Sequence, residues 1–575
     1  MLSVYDYVVL VAVLITSASI GIYYRITGGK QKTTTEYLLA DRSMSALPVS
    51  FTLMASFMSA ITLLGVSTES YQFGILFVVI NISYILTTPL AAYLYLPVFY
   101  KLQTTSVYEY LELRFGKTTR LVSSIAYSTQ MILYMGIVLY APALALEAIT
   151  GINKTVAILA IGLVCTFYST IGGMKAVIVT DVFQSFLMFG AVLSICITAI
   201  VMAGGVSEVW NTADAGGRIE FLNFDIDPTT RHSWWSLIIG GGIIYLSLYG
   251  VNQTQVQRLM TVKTLKSAER SLWLNLPILS ALSFSTLFSG LSIYYYYKDC
   301  DPLLNGRITT RDQMMPLFVI DTMGKYPGLA GLFVSGIFSG SLSTVSSSVS
   351  SLAAVTLEDY LKPAYLLIMK KPMLETNTTL PSKIMACFYG IVCIGLAFLA
   401  GSLGGVLQAS LTIFGVVGGP LLGVFTLGMF TTKSNQKGVI SGFVLGLIFG
   451  FFVGFGGPKP PLPVLDFSTE GCSNNATIPI LTKSSSVQSE DFYWIYRVSY
   501  LWYPVMCFVI TTVFGYVFSL IYELLKLDDN RRIYKDNYKL VINYDLFIPP
   551  LAKRLRSNNN NVKFDPEVNK ELNEY

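Results

Sequence analysis

Charge is scarce in this sequence. Of the 575 residues, 13% are Asp, Glu, Lys or Arg, whereas 53% are hydrophobic. The net charge is only +5, and the basic residues stand in short clusters between apolar runs. This composition excludes a soluble enzyme with a single anchor and argues against a nucleic acid partner. It predicts an all-α polytopic membrane protein that is surrounded by the lipid bilayer.

Metal-binding patterns are missing as well. The chain has one histidine, His232, which is followed by Trp234 and Trp235, as is typical of a membrane interface rather than of metal or proton chemistry. Its seven cysteines include no CxxC pair, and five of them fall in apolar runs. We therefore expect no cofactor.

About thirteen apolar runs are long enough to cross a bilayer as helices. They cover roughly residues 4–26, 47–72, 75–99, 121–149, 154–174, 177–203, 233–257, 270–297, 328–356, 382–402, 405–430, 438–457 and 498–525. If the N-terminus is outside, cytoplasmic loops hold about 19 Lys and Arg and external loops about 10, besides about 10 in the tail. The excess of positive charge inside thus predicts an external N-terminus and a cytoplasmic tail after Lys526.

Two of the predicted external loops hold residues that can be covalently modified on the external side of the membrane. Cys300 and Cys472 lie in an oxidising environment under this topology, so we expect one disulfide between them. Asn475 begins a glycosylation triplet in the external loop 458–497. Chance is the alternative, because four other triplets of this kind fall mostly in spans, near the membrane or inside the cell.

Ionisable side chains are nearly absent from the spans. The second, seventh and ninth spans carry them only at their ends, which disfavours coupling to protons through intramembrane relays. Near the start of the sixth span, Asp181 is followed by Gln184. Asp181 either reaches a cavity or caps the helix, and both interpretations fit equally. Together with Gln253, these two residues are candidates for coupling.

The ninth span is instead rich in hydroxyl groups. Residues 331–356 contain eleven Ser and Thr side chains and no charge. Such a helix gains little from facing lipid, so it must face protein or a cavity. Hydroxyl and carbonyl oxygens are ligands for a small hard cation, and sodium is the natural candidate.

The second span carries Ser, Thr and Gly within its apolar run, from Ala55 to Val66. Such a segment is most often an ordinary packing face. Alternatively, it is a discontinuous helix whose free carbonyls coordinate sodium and whose ends face an anionic substrate.

Several stretches resemble the sodium/solute symporter family, and within it the branch of the iodide, multivitamin and monocarboxylate symporters. They include ASFMSAITLLGVSTESYQFG, GGMKAVIVTDVFQ, SLYGVNQTQVQR, KDCDPLLNGRI and SGSLSTVSSSVSSLAAVTLEDYLKP. The resemblance covers about residues 5 to 455 and resumes near Tyr500. Only the last external loop and the tail are poorly covered.

This resemblance implies a leucine-transporter-like core of two inverted five-helix repeats. The repeats would cover about 47–203 and 233–430, within a transmembrane domain of residues 1–526 and before a tail of residues 527–575. The helices at 4–26, 438–457 and 498–525 would be additional to the core. A multi-pass protein of the plasma membrane is implied, whose oligomeric state stays open.

The resemblance also implies a sodium site between the second and ninth spans. Its ligands would be the backbone carbonyls of Ala55, Met58 and Gly340 and the hydroxyls of Ser343 and Thr344, with Ser56 adjoining. The spacing of Gly340, Ser343 and Thr344 places them on one helical face. A second sodium and the substrate would lie near the residues Ser59, Thr62, Val66, Tyr134, Tyr245, Leu407 and Leu411.

The substrate implied is a small organic anion, transported with sodium. Thr62, Tyr245 and Leu411 differ from the residues of the iodide carrier, and Thr62 matches the monocarboxylate carriers better. Among the possible substrates, monocarboxylates therefore rank first, vitamin anions second and iodide third. A sensor that does not transport is the alternative from another functional class. Because we expect no Arg or Lys to face the core site, bound sodium and helix ends would neutralise the carboxylate.

Overall fold

The computed structural model describes residues 3–27, 33–151, 153–374, 378–400, 406–472, 492–527 and 543–559. These residues form helices and connecting segments, with one isolated β-bridge between Met44 and Val262. The helices are α1 Val4–Thr27, α2 Thr34–Leu39, α3 Ala46–Phe57, α4 Ala60–Phe73, α5 Ile80–Leu90, α6 Leu96–Leu102, α7 Glu109–Arg114, α8 Lys117–Thr150, α9 Lys154–Ala203, α10 Val206–Ala215, α11 Gly241–Tyr249, α12 Gln253–Leu259, α13 Leu265–Tyr297, α14 Met314–Met323, α15 Leu329–Val355, α16 Lys362–Met369, α17 Thr379–Ala400, α18 Val406–Phe430, α19 Gln436–Phe455, α20 Trp494–Arg497, α21 Tyr503–Leu524 and α22 Pro549–Asn559.

Ten helical segments of the described chain are long and apolar enough to cross a membrane, and the bent pair α3 and α4 makes eleven. One of them, α9, has 50 residues. A straight helix of that length would measure about 75 Å, far more than a bilayer core of about 30 Å. Gly173 interrupts it with φ 65° and ψ −176°, at the end of the expected span 154–174 and before the next one, 177–203. The shorter apolar helix Ser236–Tyr249 lies in the expected seventh span. The total of thirteen and the orientation of the termini stay predictions.

The second expected span is broken, as the Ser, Thr and Gly content of its sequence allowed. Its halves α3 and α4 meet at an angle of 62°. Between them, Met58 leaves the helical conformation with ψ 90°, and Ser59 is extended and caps α4 by accepting a hydrogen bond from the Ile61 amide at 3.2 Å. Such a break frees backbone carbonyls that a continuous helix would bind.

A second break separates α11 from α12. The helix α11 ends at Tyr249, and Asn252 caps α12 by accepting a hydrogen bond from the Thr254 amide at 2.9 Å. The helix α12 is buried throughout. The chain is therefore broken inside the expected seventh span, 233–257, and the segment after the break stays buried within the protein.

The hydroxyl-rich helix α15 lies at the centre of the bundle. It packs against α9, α3, α8 and α1, and the side chains from Phe333 to Val355 are all buried. This position fulfils the expectation that a span so rich in Ser and Thr faces protein. It also places the hydroxyl groups of α15 beside the break between α3 and α4.

Candidate functional site

The break between α3 and α4 lies directly against α15. The contact is closest at Gly340, where an added Cβ would stand 2.9 Å from the Ala60 nitrogen and 3.2 Å from the Ser59 carbonyl carbon. Glycine at this position lets two backbones approach, so the carbonyl of Gly340 and the freed carbonyls of α3 come to the same place.

One turn further along α15, Thr344 reaches across to α3. Its hydroxyl donates to the Gly340 carbonyl at 2.9 Å and lies 3.5 Å from the carbonyl oxygen of Ala55. Ser56 lies next to this pair and is 3.0 Å from the hydroxyl of Ser347. The structure thus brings Ala55, Ser56, Gly340 and Thr344 together in one buried cluster of oxygen atoms.

Ser343 faces a carboxylate. Its hydroxyl donates to Asp181 at 2.7 Å, and the other carboxylate oxygen of Asp181 accepts a hydrogen bond from Thr52. Asp181 is fully buried inside α9. Asp181 lies within α9 and not at its end, so it does not cap that helix, and its side chain instead contacts Thr52 and Ser343.

The expectation that no basic side chain reaches the core site is wrong. Arg258, on α12, is fully buried and stands 3.6 Å from Asp181. Its guanidinium also donates to Thr52 at 2.9 Å and to the hydroxyl of Ser347. Counting along the sequence placed Arg258 at the edge of the membrane, but the break before α12 folds it into the protein. Arg258 and Thr52 are the site residues that the sequence analysis missed, and no local motif signals their pairing.

The far side of the break is closed by Tyr134. Its hydroxyl donates to Ser59 at 3.2 Å, and its ring packs edge-on against Phe414 with centroids 4.6 Å apart. This contact connects α8 and α18 to the residue that caps α4. Ser59 and Tyr134 are therefore neighbours, as the predicted second site requires.

A cavity opens beside the break, with about 840 Å³ of free space counted together with its mouth. Most of the predicted substrate residues line it, namely Thr62, Val66, Leu407 and Leu411. Ser56 and Tyr134 line it as well. The wall is mainly apolar, so a bound ligand would lose most of its water there.

Tyr245 lies behind the cavity wall rather than on it. Its hydroxyl is 2.9 Å from the Thr88 hydroxyl, and its ring stacks on Tyr249 at 4.3 Å. Tyr84, which does line the cavity, is 5.3 Å from the Tyr245 ring. Tyr245 would therefore affect a ligand only indirectly, for example through Tyr84.

The other two coupling candidates lie away from the break between α3 and α4. Gln184 makes a long hydrogen bond of 3.5 Å to Ser17 on α1. Gln253 accepts from the Val107 amide at 2.8 Å and donates to the Thr105 carbonyl at 2.9 Å. It therefore holds the connection between α6 and α7. Of the three candidates, only Asp181 contacts the residues of the predicted sodium site.

At the predicted external end, His232 is buried among protein side chains and so is not exposed as a residue of an aromatic belt would be. Its Nε2 lies 3.1 Å from Glu69 and 3.2 Å from the Tyr500 hydroxyl. Burial lowers the pKa of His232 despite the opposing effect of Glu69, so the ring is neutral at pH 7. Arg231 forms the ion pair with Glu69, at 2.7 Å, and donates to Gln408 on α18 at 3.2 Å.

In the same region the structure joins Cys300 to Cys472, with Cα atoms 5.0 Å apart. Backbone hydrogen bonds hold the two segments beside the bond, from Gly471 to the Asp299 carbonyl at 2.8 Å and from Asp301 to the Ser468 carbonyl at 2.9 Å. The predicted glycosylation site, Asn475, lies outside the described residues.

Comparison with known proteins defines the class to which this fold and site belong. The model of the sodium:solute symporter family matches residues 37–446. A solved Na⁺-coupled sialic acid symporter superposes with a TM-score of 0.74 at 24% identity, covering 90% of this chain and 98% of that one. This likeness shows the fold, and it confirms the helical, leucine-transporter-like architecture.

The chain belongs to the sodium:solute symporter family. It is 59% identical to a Drosophila melanogaster protein named "Putative sodium-dependent multivitamin transporter", over 96% of this chain and 92% of that protein. It is 42% identical to the human sodium-coupled monocarboxylate transporter 1, over 95% of this chain and 91% of the relative. It is 41% identical to the rabbit (Oryctolagus cuniculus) sodium-dependent multivitamin transporter, over 90% of this chain and 82% of the relative.

Proposed function

We propose that this protein couples the inward movement of sodium to the import of a small organic anion, most simply a monocarboxylate, by alternating access across the plasma membrane. The observation that carries the proposal is the cluster of oxygen atoms from Ala55, Gly340 and Thr344 at a helix break, next to a buried and mainly apolar cavity. Ion and substrate would thus bind as neighbours.

The spacing of two oxygen atoms is compatible with a bound sodium ion. A cation of this size binds oxygen at about 2.4 Å, so two ligands at a right angle would lie about 3.4 Å apart. The Thr344 hydroxyl and the Ala55 carbonyl are 3.5 Å apart. Since Thr344 directs its proton to Gly340, its lone pairs are available to an ion. We propose the carbonyls of Met58 and Gly340 and the hydroxyl of Ser343 as further ligands.

Asp181 is proposed as the link between this ion and the rest of the protein. It accepts a hydrogen bond from Ser343, a proposed ligand, and it pairs with Arg258 on the second broken helix. A sodium ion near Ser343 would compete with Arg258 for the carboxylate. Binding of the ion would therefore be sensed at both breaks.

The driving force is sufficient for accumulation. A tenfold sodium gradient supplies about 1.4 kcal/mol per ion, and a potential near 70 mV adds about 1.6 kcal/mol per charge. Two sodium ions would then provide roughly 6 kcal/mol when the potential acts on both charges. With a monovalent anion only one net charge moves, and the electrical share falls by half.

A vitamin anion is the second candidate substrate. The 59% identity to the Drosophila melanogaster relative supports it, because that identity is higher than the 42% to the human monocarboxylate transporter. Both substrate types carry a carboxylate and an otherwise uncharged body, so the same apolar cavity suits either. An iodide-type substrate is third.

The test is current in voltage-clamped cells that express the chain, first in sodium and then in choline. Lactate, pyruvate, nicotinate, butyrate, biotin, pantothenate and iodide would be applied in turn. Inward, sodium-dependent current with short monocarboxylates supports the first candidate, and current with biotin or pantothenate alone supports the second. If there is no current and no labelled uptake despite surface expression, the chain is not a transporter for these anions and a sensor becomes the better explanation.

A further inference from the structure

One wall of the cavity comes from the break before α12, where Asn252, Thr254 and Gln255 line it. The rest of the lining is mainly apolar, with hydroxyl groups such as that of Thr62 but no other side-chain amide among the described residues. A ligand in this cavity therefore meets side-chain amides on one side only.

The hydroxyl groups near this wall already have partners. The Thr254 hydroxyl is 2.8 Å from those of Tyr127 and Ser351, which are also 2.8 Å from each other. Ser348 and Ser56 each donate to the carbonyl four residues earlier, at 2.8 and 2.6 Å. A hydroxyl carries a single proton, so these serines have none to offer a ligand.

Gln255 is different, because the oxygen of its side-chain amide has no hydrogen-bond partner in the described part of the chain. Its Nε2 donates to the Leu53 carbonyl at 3.3 Å, which fixes the orientation of the amide. Its Oε1 is buried and accepts no hydrogen bond from the residues that the structure describes, and the side chain is 2% exposed. Gln255 lines the cavity, and its Oε1 is the amide atom that has no protein partner within the described ranges, so it is the atom that remains for a ligand.

Asn252 complements it with a donor. Its Oδ1 is occupied by the Thr254 amide that it caps, at 2.9 Å. Its Nδ2 group makes no hydrogen bond to the residues that the structure describes, and the residue is mostly buried on the cavity wall. The wall therefore presents one acceptor and one donor that are three residues apart.

We propose that Gln255 and Asn252 select substrates that carry, besides the carboxylate, a group that both donates and accepts a hydrogen bond, such as a hydroxyl, an amide or a ureido group. A buried acceptor without a partner is costly, and a ligand that supplies a donor removes that cost. A plain alkyl carboxylate leaves both amide atoms unsatisfied. This inference rests on the proposed function and assigns its specificity to α12.

The first experiment compares two substrates in the unaltered protein. Isobutyrate has the shape of lactate with a methyl group in place of the hydroxyl. We expect lactate to compete for sodium-dependent uptake at about tenfold lower concentration than isobutyrate, as one additional buried hydrogen bond predicts. Equal competition by the two would overturn the inference while leaving sodium-coupled transport intact.

The second experiment uses matched variants. Gln255→Met removes the acceptor, and Gln257→Met is the control, because Gln257 donates to a backbone carbonyl (Leu38, 2.9 Å) from the same short helix without lining the cavity. Asn252→Asp keeps the capping oxygen and removes the donor. We expect Gln255→Met and Asn252→Asp to reduce the preference for lactate over isobutyrate about tenfold, and Gln257→Met to leave it unchanged.

The remaining outcomes contradict the inference in distinguishable ways. If Gln255→Met raises the half-saturating sodium concentration equally with every substrate, the oxygen binds the ion instead. If all three variants lower uptake of both substrates equally, α12 has a structural role only. Absence of sodium-dependent uptake in the unaltered protein would contradict the proposed function itself.

Discussion

Replacing Thr344 with valine would test the predicted sodium site most directly. The substitution keeps the shape of the side chain and removes a single oxygen. That oxygen lies 3.5 Å from the Ala55 carbonyl and 2.9 Å from the Gly340 carbonyl, so it is the point at which α15 and the broken helix α3 come together.

The size of the effect follows from the contacts. One oxygen that interacts with a charged partner contributes about 2 kcal/mol, which corresponds to about a thirtyfold increase in the half-saturating sodium concentration. The neutral hydrogen bond within α15 contributes about 1 kcal/mol to folding, so most of the protein should still reach the surface. Apparent substrate affinity at saturating sodium should change little.

Two controls isolate the oxygen. Thr344→Ser keeps the hydroxyl and should retain sodium activation close to that of the unaltered protein. Ser335→Ala removes an equivalent bond, from a hydroxyl to the carbonyl four residues earlier, at a buried position two turns away on the same helix. The assay is sodium activation of substrate-evoked current, corrected for surface expression. A half-saturating sodium concentration within twofold of the unaltered value in Thr344→Val would refute this assignment of the site.

Three further predictions concern other contacts. Gly340→Ala should abolish transport, since its methyl group would stand 2.9 Å from the backbone of the break; normal sodium activation in this variant would show that the close approach is dispensable. Asp181→Asn should lower surface expression sharply, because it leaves Arg258 buried without its charged partner at a cost of about 3–5 kcal/mol. Adding Arg258→Met should restore part of the expression. A double variant that is expressed no better than Asp181→Asn would contradict the pairing. Cys300 and Cys472 should resist alkylation until a reductant is added, as measured by the mass of their peptides, and free labelling without reductant would disprove the bond.

Much of the architecture was predictable from local pattern. The long apolar runs predicted a helical membrane protein, because only helices and closed barrels satisfy the backbone in lipid. The hydroxyl groups of α15 predicted a buried central helix, and the Ser, Thr and Gly of residues 55–66 made a break in the second span plausible. Each of these inferences depends on residues that are close together in the chain.

Contacts between distant segments required the structure. Thr52, Asp181, Arg258 and Ser343 come from four helices, and no spacing in the sequence relates one to another. The burial of His232 was not predictable for the same reason, since the side chains around it, Glu69 among them, lie far away in the chain.

The sequence by itself determined the membrane environment and the helical class, since composition and periodicity carry that information. Its motifs carried the resemblance to the family, and the hydroxyl groups of residues 331–356 indicated oxygen ligands for the proposed ion site. The tertiary structure alone decided which polar groups meet. Helix breaks at Met58 and near Gly250 interrupt two expected spans, and the direction that the chain takes after such a break depends on packing against distant helices. For that reason the pair of Asp181 with Arg258 and the amide wall of the cavity became apparent only in the folded chain.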